Sequence, residues 1–217
     1  MSKASMNHVF RLVWSDRVLT WVAVPEGTSA RSKSASAVVK ACASVLACLA
    51  GMTAPGTATW AAGLPTGGQV VQGSGQISQS GNTLTVTQGT QKLVTNWDSF
   101  NVGTANTVRF VQPSKTSVAL NRVLGGEVSL IQGALHSNGQ VFLLNPNGIL
   151  FSKTAQVDTG GLLASTLDMS DADFLSGRYH LAGHSTASVV NEGRLKAADG
   201  GLVALVAGTV RNVGVIQ

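Results

Sequence analysis

The stretch Val141-Phe142-Leu143-Leu144-Asn145-Pro146-Asn147-Gly148-Ile149-Leu150-Phe151 decides the fold class. Two short apolar runs flank the densest turn chemistry in the chain. Pro146 fixes its own φ and has no N–H to donate, while Asn147 and Gly148 are residue types that tolerate φ > 0. No helix survives that insertion, whereas two buried strands meeting at a tight corner are sharply defined by it. The segment carries no catalytic chemistry. It reads as architecture.

Outward from that corner the pattern stays β from Leu64 on. Thr83-Leu84-Thr85-Val86-Thr87 alternates strictly, as a half-buried strand does. Ser80-Gly81-Asn82 ahead of it is a turn, which makes Gln76-Ile77-Ser78 the expected hairpin partner. Further strands are expected at Val70-Val71, Lys92–Val94, Thr107–Val111, Ser117–Leu120, Ser129–Ile131, Gln140–Leu144 and Ile149–Phe151. Ser170 at the start and Gly177 at the end bracket a helix of one or two turns over Asp171–Ser176, placed outside the β pattern.

The tail holds a repeat. Val189-x-Asn191-x-Gly193-x-Leu195 recurs 21 residues on as Val210-x-Asn212-x-Gly214-x-Ile216. A period near twenty residues with that pattern suits one coil of a parallel β-helix, its apolar residues stacked coil on coil and Asn191 and Asn212 at a turn where side-chain amides form a ladder. The expected class is all-β, a parallel β-helix rather than a β-sandwich. At a strand spacing of ~4.8 Å, about seven or eight coils would make a rod of order 35 Å. The chain stops at Gln217, directly after the second repeat, so it is expected to be the opening piece of a longer protein or an interrupted reading frame.

Charge and cysteine separate the first forty residues from the rest. Residues 1–40 hold six Lys/Arg against two acids, and the remainder nine against eight. The basic excess therefore belongs to a leader, and nothing argues for a nucleic-acid partner. Cys42 and Cys48 lie in the apolar run Ala41–Met52, and no later residue is a cysteine. Lys40 closes the basic region, the apolar run follows, and Ala61-Ala62 supplies small residues after it: the three zones of a secretory signal peptide in order. The apolar run is too short to span a membrane, which takes ~20 residues. Cleavage is expected near Ala61 or Ala62. The domains expected are thus 1–40, an extended leader; 41–62, the apolar core and cleavage region; and 63–217, the β-helix.

Candidate reactive groups are few. His180 and His184 are separated by Leu181-Ala182-Gly183, with no Glu to act as base, so they read as loop histidines rather than a zinc pair. Asp168, Asp171 and Asp173 lack the alternation and terminal Glu of a calcium loop and read as helix caps. Gly67-Gly68 and Gly73-Ser74-Gly75 are loop glycines, with no Lys-Ser/Thr after them. No cofactor, metal or catalytic residue is expected.

Two sets of motifs resemble known families. Met6-Asn7-His8-Val9-Phe10-Arg11-Leu12-Val13-Trp14 and Trp21-Val22-Ala23-Val24-Pro25-Glu26 resemble the extended signal peptide region of very large Gram-negative secreted proteins, which makes Met6 rather than Met1 the expected initiator. Val118-Ala119-Leu120-Asn121-Arg122-Val123, Ile131-Gln132-Gly133, Asn138–Ile149 and Asp158-x-Gly160-Gly161-Leu162-Leu163-Ala164-Ser165-Thr166 resemble the N-terminal secretion domain of filamentous-haemagglutinin-type two-partner-secretion exoproteins. The branch resembled is the one without an early Asn-Pro-Asn-Leu motif, since only Phe100-Asn101-Val102-Gly103 stands there.

The resemblance implies a right-handed parallel β-helix with small antiparallel hairpins near its start. It implies the general secretory machinery and signal peptidase as first partners. A dedicated outer-membrane β-barrel transporter of the TpsB type follows, with periplasmic POTRA domains, and the destination is the cell surface or medium. A host-cell or target-cell receptor would be met through the missing downstream region. Asn121, Arg122, Asn145, Pro146, Asn147 and Gly148 are the motif residues that either the transporter recognises or that define the coil; Asn191, Gly193, Asn212 and Gly214 are the repeat's turn residues. Two alternatives compete: a β-helix carbohydrate-active enzyme of the polysaccharide-lyase kind, disfavoured by scattered acids, and the passenger of a single-chain autotransporter.

Overall fold

The computed structural model describes residues 10–15, 20–25 and 63–217. The readings of the apolar run Ala41–Met52, the cleavage pair Ala61-Ala62 and the initiator lie outside the described residues. The chain divides into two compact units, Met1–Pro55 and Gly56–Gln217. In the first, β1 (Phe10–Ser15) and β2 (Thr20–Pro25) pair antiparallel, with Trp14 opposite Trp21.

The second unit is a parallel β-helix of three sheets. Its strands are β3 (Gln69–Gln72), β4 (Gly75–Ser80), β5 (Thr83–Gln88), β6 (Lys92–Trp97), β7 (Thr107–Val111), β8 (Val118–Val123), β9 (Ser129–Ile131), β10 (Ala134–Ser137) and β11 (Gln140–Leu144). They continue as β12 (Ile149–Phe151), β13 (Gln156–Thr159), β14 (Gly161–Ser165), β15 (Ser188–Asn191), β16 (Arg194–Ala197), β17 (Val203–Val206), β18 (Thr209–Asn212) and β19 (Val215–Ile216). Each full coil gives one strand to each sheet: β19-β16-β13-β10-β7-β5-β4, β17-β14-β11-β8-β6-β3, and β18-β15-β12-β9. Successive rungs are parallel, and only β3 and β4 run antiparallel, against β6 and β5. The hairpin expected at Ile77 and Leu84 is there, laid along the first rung.

The register stacks like on like. Leu84, Val108, Leu135, Val157 and Leu195 align rung by rung in the seven-stranded sheet, and Leu93, Ala119, Val141 and Leu162 in the six-stranded one. These inward residues are buried and form one continuous core. Burying such side chains contributes roughly 1.5–3 kcal/mol each. The 21-residue echo is a true stack: Val189 lies opposite Val210, Asn191 opposite Asn212 and Leu195 opposite Ile216.

The number of coils differs from expectation. Six parallel rungs are present in the longest sheet, not seven or eight. Early coils are longer than the repeat, with 24 residues from Thr83 to its partner Thr107 and 27 from Thr107 to Ala134, against 22 from Ala134 to Gln156. A further stretch leaves the helix altogether. It contains α1 (Asp171–Ser176), where the Ser170 side chain caps the Asp173 N–H and Gly177 closes the helix at φ 81°.

Candidate functional site

The Asn145–Gly148 corner joins β11 to β12 by a turn closed from the Gly148 N–H to Asn145 O at 3.1 Å. Gly148 sits at φ 115°, outside the comfortable range of a residue with a Cβ. Asn145 is fully buried. Its Nδ2 donates to Glu127 O and Ser129 Oγ, both at 2.9 Å, on the coil before it. Its Oδ1 accepts from the Asn147 N–H at 2.9 Å and from Asn147 Nδ2 at 3.2 Å. Its backbone N–H reaches Ser165 O at 2.9 Å on the coil after it. Asn147 Nδ2 donates to Gly125 O at 2.7 Å, and the Ser185 hydroxyl donates to Pro146 O at 2.6 Å. One asparagine thus ties three coils. Pro146 alone of the four residues is exposed.

Asn121 and Arg122, adjacent on β8, face opposite ways. Asn121 points inward, is fully buried, accepts from Trp97 Nε1 at 3.0 Å and donates to Ala119 O and Phe142 O. Arg122 points outward and holds the excursion that carries α1. Its Nε donates to Asp168 Oδ1 at 2.8 Å, and its Nη2 donates to Asp171 Oδ1 at 2.9 Å and to Met169 O. Partial burial would lower the guanidinium pKa, but hydrogen bonds and charge from the two aspartates outweigh it and hold that pKa above its ordinary value.

The excursion covers the outer face of the six-stranded sheet. Its ends meet at an antiparallel bridge between Asp168 and Ala182. Met169, Phe174 and Leu181 pack on Val94, Val118, Leu120, Phe142, Leu144 and Leu163, a second core outside the coils. Phe142 meets Phe174 and Tyr179 edge-on at 6.2 and 4.9 Å between ring centres. Lys92 Nζ donates to Phe174 O and Leu175 O, both at 2.8 Å, at the C-terminal end of α1. That end carries partial negative charge, which a cation complements.

The repeat residues form the expected ladder, Asn191 Nδ2 donating to Asn212 Oδ1 at 2.8 Å, with Asn191 Oδ1 accepting from the Gly193 N–H at 3.0 Å. A Cβ at Gly193 would strike Ser152 O, and one at Gly214 would strike Gly193 O, so glycine is required by close backbone approach. On the last rung Val210, Asn212 and Ile216 stand exposed, where Val189, Asn191 and Leu195 are buried.

His180 and His184 are exposed and bond to no metal-like set; among the described residues no three His, Cys, Asp or Glu side chains are placed to hold an ion. None of the three aspartates is the helix cap expected of them: Ser170 caps α1, Asp168 and Asp171 hold Arg122, and Asp173 stands in the first turn, its carboxyl pushed below the ordinary carboxylate range by the Ser170 hydroxyl and Arg178. Three participants had no sequence signal. Lys92 looks like any surface lysine. Gln88 and Gln112 form a buried amide pair, Gln112 Nε2 donating to Gln88 Oε1 at 2.9 Å and to Ser117 O and Gln140 O at 3.2 Å.

Residues 61–217 match the family described as the TPS secretion domain, and residues 6–55 match the extended signal peptide of the type V secretion system. A heme/hemopexin-binding protein of Haemophilus influenzae strain KW20 Rd is 44% identical over 106 residues, which is 49% of this chain and 12% of that protein. A second heme/hemopexin-binding protein of Haemophilus influenzae is 45% identical over 86 residues, 40% of this chain and 9% of that protein. The match thus spans about a tenth of the length of these relatives. The crystal structure of the HMW1 secretion domain from Haemophilus influenzae superposes with a TM-score of 0.65 at 34% identity, over 70% of this chain and 41% of that one.

Proposed function

The chain belongs to the TPS secretion domain family, and from that premise we propose that residues 63–217 are the export address of a larger exoprotein, freed of their leader near Ala61 or Ala62. The extended signal peptide and secretion domain make this a chain exported through the general secretory route to the cell surface or medium. Its partner is the outer-membrane transporter of two-partner secretion. In our reading the transporter's periplasmic POTRA domains take hold of the chain while it is extended, pairing with its strand edges, and its pore passes the chain outward. Folding outside then opposes return, because each rung formed buries apolar surface that the extended chain exposes.

The observation that carries the reading is the order of the two family matches, signal peptide then secretion domain, on a chain folded as a parallel β-helix. Asn145 supports a coil-defining rather than a contact role. Its polar atoms are engaged inside the fold, so a partner could reach it only while the coil is open. A polysaccharide-lyase activity would need a strand-borne acidic cluster, and Asp158, on an outer face, is paired with Lys196 at 3.4 Å. Receptor binding belongs to whatever larger protein carries this domain.

Replacing Asn145 and Asn147 with Ala tests the assignment. Secretion and melting temperature should fall together, the buried partners of Asn145 being left unsatisfied. Secretion lost at an unchanged melting temperature would make the corner a recognition element instead.

A further inference from the structure

A solenoid normally grows by nearest neighbours, each rung resting on the one before. The excursion over residues 167–182 breaks that rule. It is a strap laid across four successive rungs of the six-stranded sheet, β6, β8, β11 and β14, whose outer side chains it buries, with Ala204 and Val206 of β17 only half-buried at its edge. Its fastenings reach far back in sequence: Lys92 lies 82 residues before Phe174, and Arg122 lies 46 before Asp168.

Without the strap the outer side chains of those rungs would face water. Val94 lies opposite Leu120, Leu120 opposite Phe142 and Phe142 opposite Leu163, an apolar ladder on the outside of the sheet. All four are buried, and the strap is what buries them. A parallel sheet is stable when both of its faces are covered. Rungs β6 to β14 therefore have one covered face when the chain has formed through Ser165, and two only once Phe174 and Tyr179 have arrived. Contacts of such separation form late, since the loop between them must close before they contribute.

We propose that the strap makes the first four rungs one folding unit, fastened by Lys92 and Arg122, so that they become stable together when Tyr179 emerges and only later coils grow one at a time. In export this would be the step that commits the chain to the outside. That consequence rests on the function proposed above, whereas the single folding unit can be tested without it.

The test is hydrogen exchange, read by mass spectrometry on the secreted chain, comparing wild type with Arg122→Gln and with the milder Tyr179→Ala, whose side chain is 44% exposed. Peptides from β6, β8, β11 and β14 should exchange faster by one common factor, of order tenfold, matching the factor for the strap peptide around Phe174. Peptides from β15 and β16 should change less. Acceleration confined to the strap would overturn the proposal, and so would unequal factors among the four rungs or an equal factor in β15 and β16. If Arg122→Gln yields no folded chain, Tyr179→Ala decides. Failure of the export reading has a separate sign, secretion without any transporter, and would leave the exchange pattern untouched.

Discussion

At the scale of single residues the secretion domain is held by buried amides rather than by charge. Asn145 joins three coils, Asn191 bonds to Asn212, and Asn121 answers the Trp97 indole inside the core. The Lys196–Asp158 ion pair lies at the surface, where such pairs contribute about 0–1 kcal/mol. Arg122, whose side chain is 13% exposed and also donates to Met169 O, is the exception and fastens the fold from within. A buried donor left without a partner costs about 1–3 kcal/mol, so the amides decide. Asn121→Ala should lower stability by about 2–3 kcal/mol, because it orphans Trp97 Nε1 and also leaves a small cavity. Denaturant unfolding followed by tryptophan fluorescence checks this, and a loss within error of zero would show that Trp97 finds another acceptor. Asn145 could be singled out from sequence because Pro and Gly stand beside it. Asn121 was legible only through the family motif, and Lys92 not at all, since its partners are carbonyls 82 and 83 residues away.

At the scale of elements, what the sequence revealed follows the strength of local alternation. Thr107–Val111, Gln140–Leu144 and Ile149–Phe151 are strands with the bounds their apolar runs imply. Ala134–Ser137 and Gln156–Thr159 went unseen because each buries few residues and carries His136 or Asp158 on its outer side. The helix over Asp171–Ser176 was visible from its caps; that it shields a second apolar core was not, because the sheet beneath is assembled from four separate segments. The repeat offers a direct test of stacking. Val189 is fully buried between the rungs of β12 and β18. Val189→Ala should therefore cost about 2 kcal/mol. A loss within error of zero in melting curves would mean that this rung is not closed in solution.

At the scale of the whole molecule, the secretion domain is a parallel β-helix with an antiparallel start, its rungs stacked on one continuous apolar core. The six rungs in the longest sheet, fewer than composition and spacing implied, result from long early coils and from the strap taken out of the helix. A leader of the extended type stands ahead of the secretion domain, and the function proposed above gives that domain an outer-membrane transporter as partner. The central claim is that the domain leaves the cell only through that transporter. It is measured most directly by expressing the chain with and without a cognate two-partner transporter in a Gram-negative host and assaying the medium and cell surface for residues 63–217. The account predicts the domain outside the cell only when the transporter is present, and held in the periplasm otherwise; equal release in its absence would contradict it.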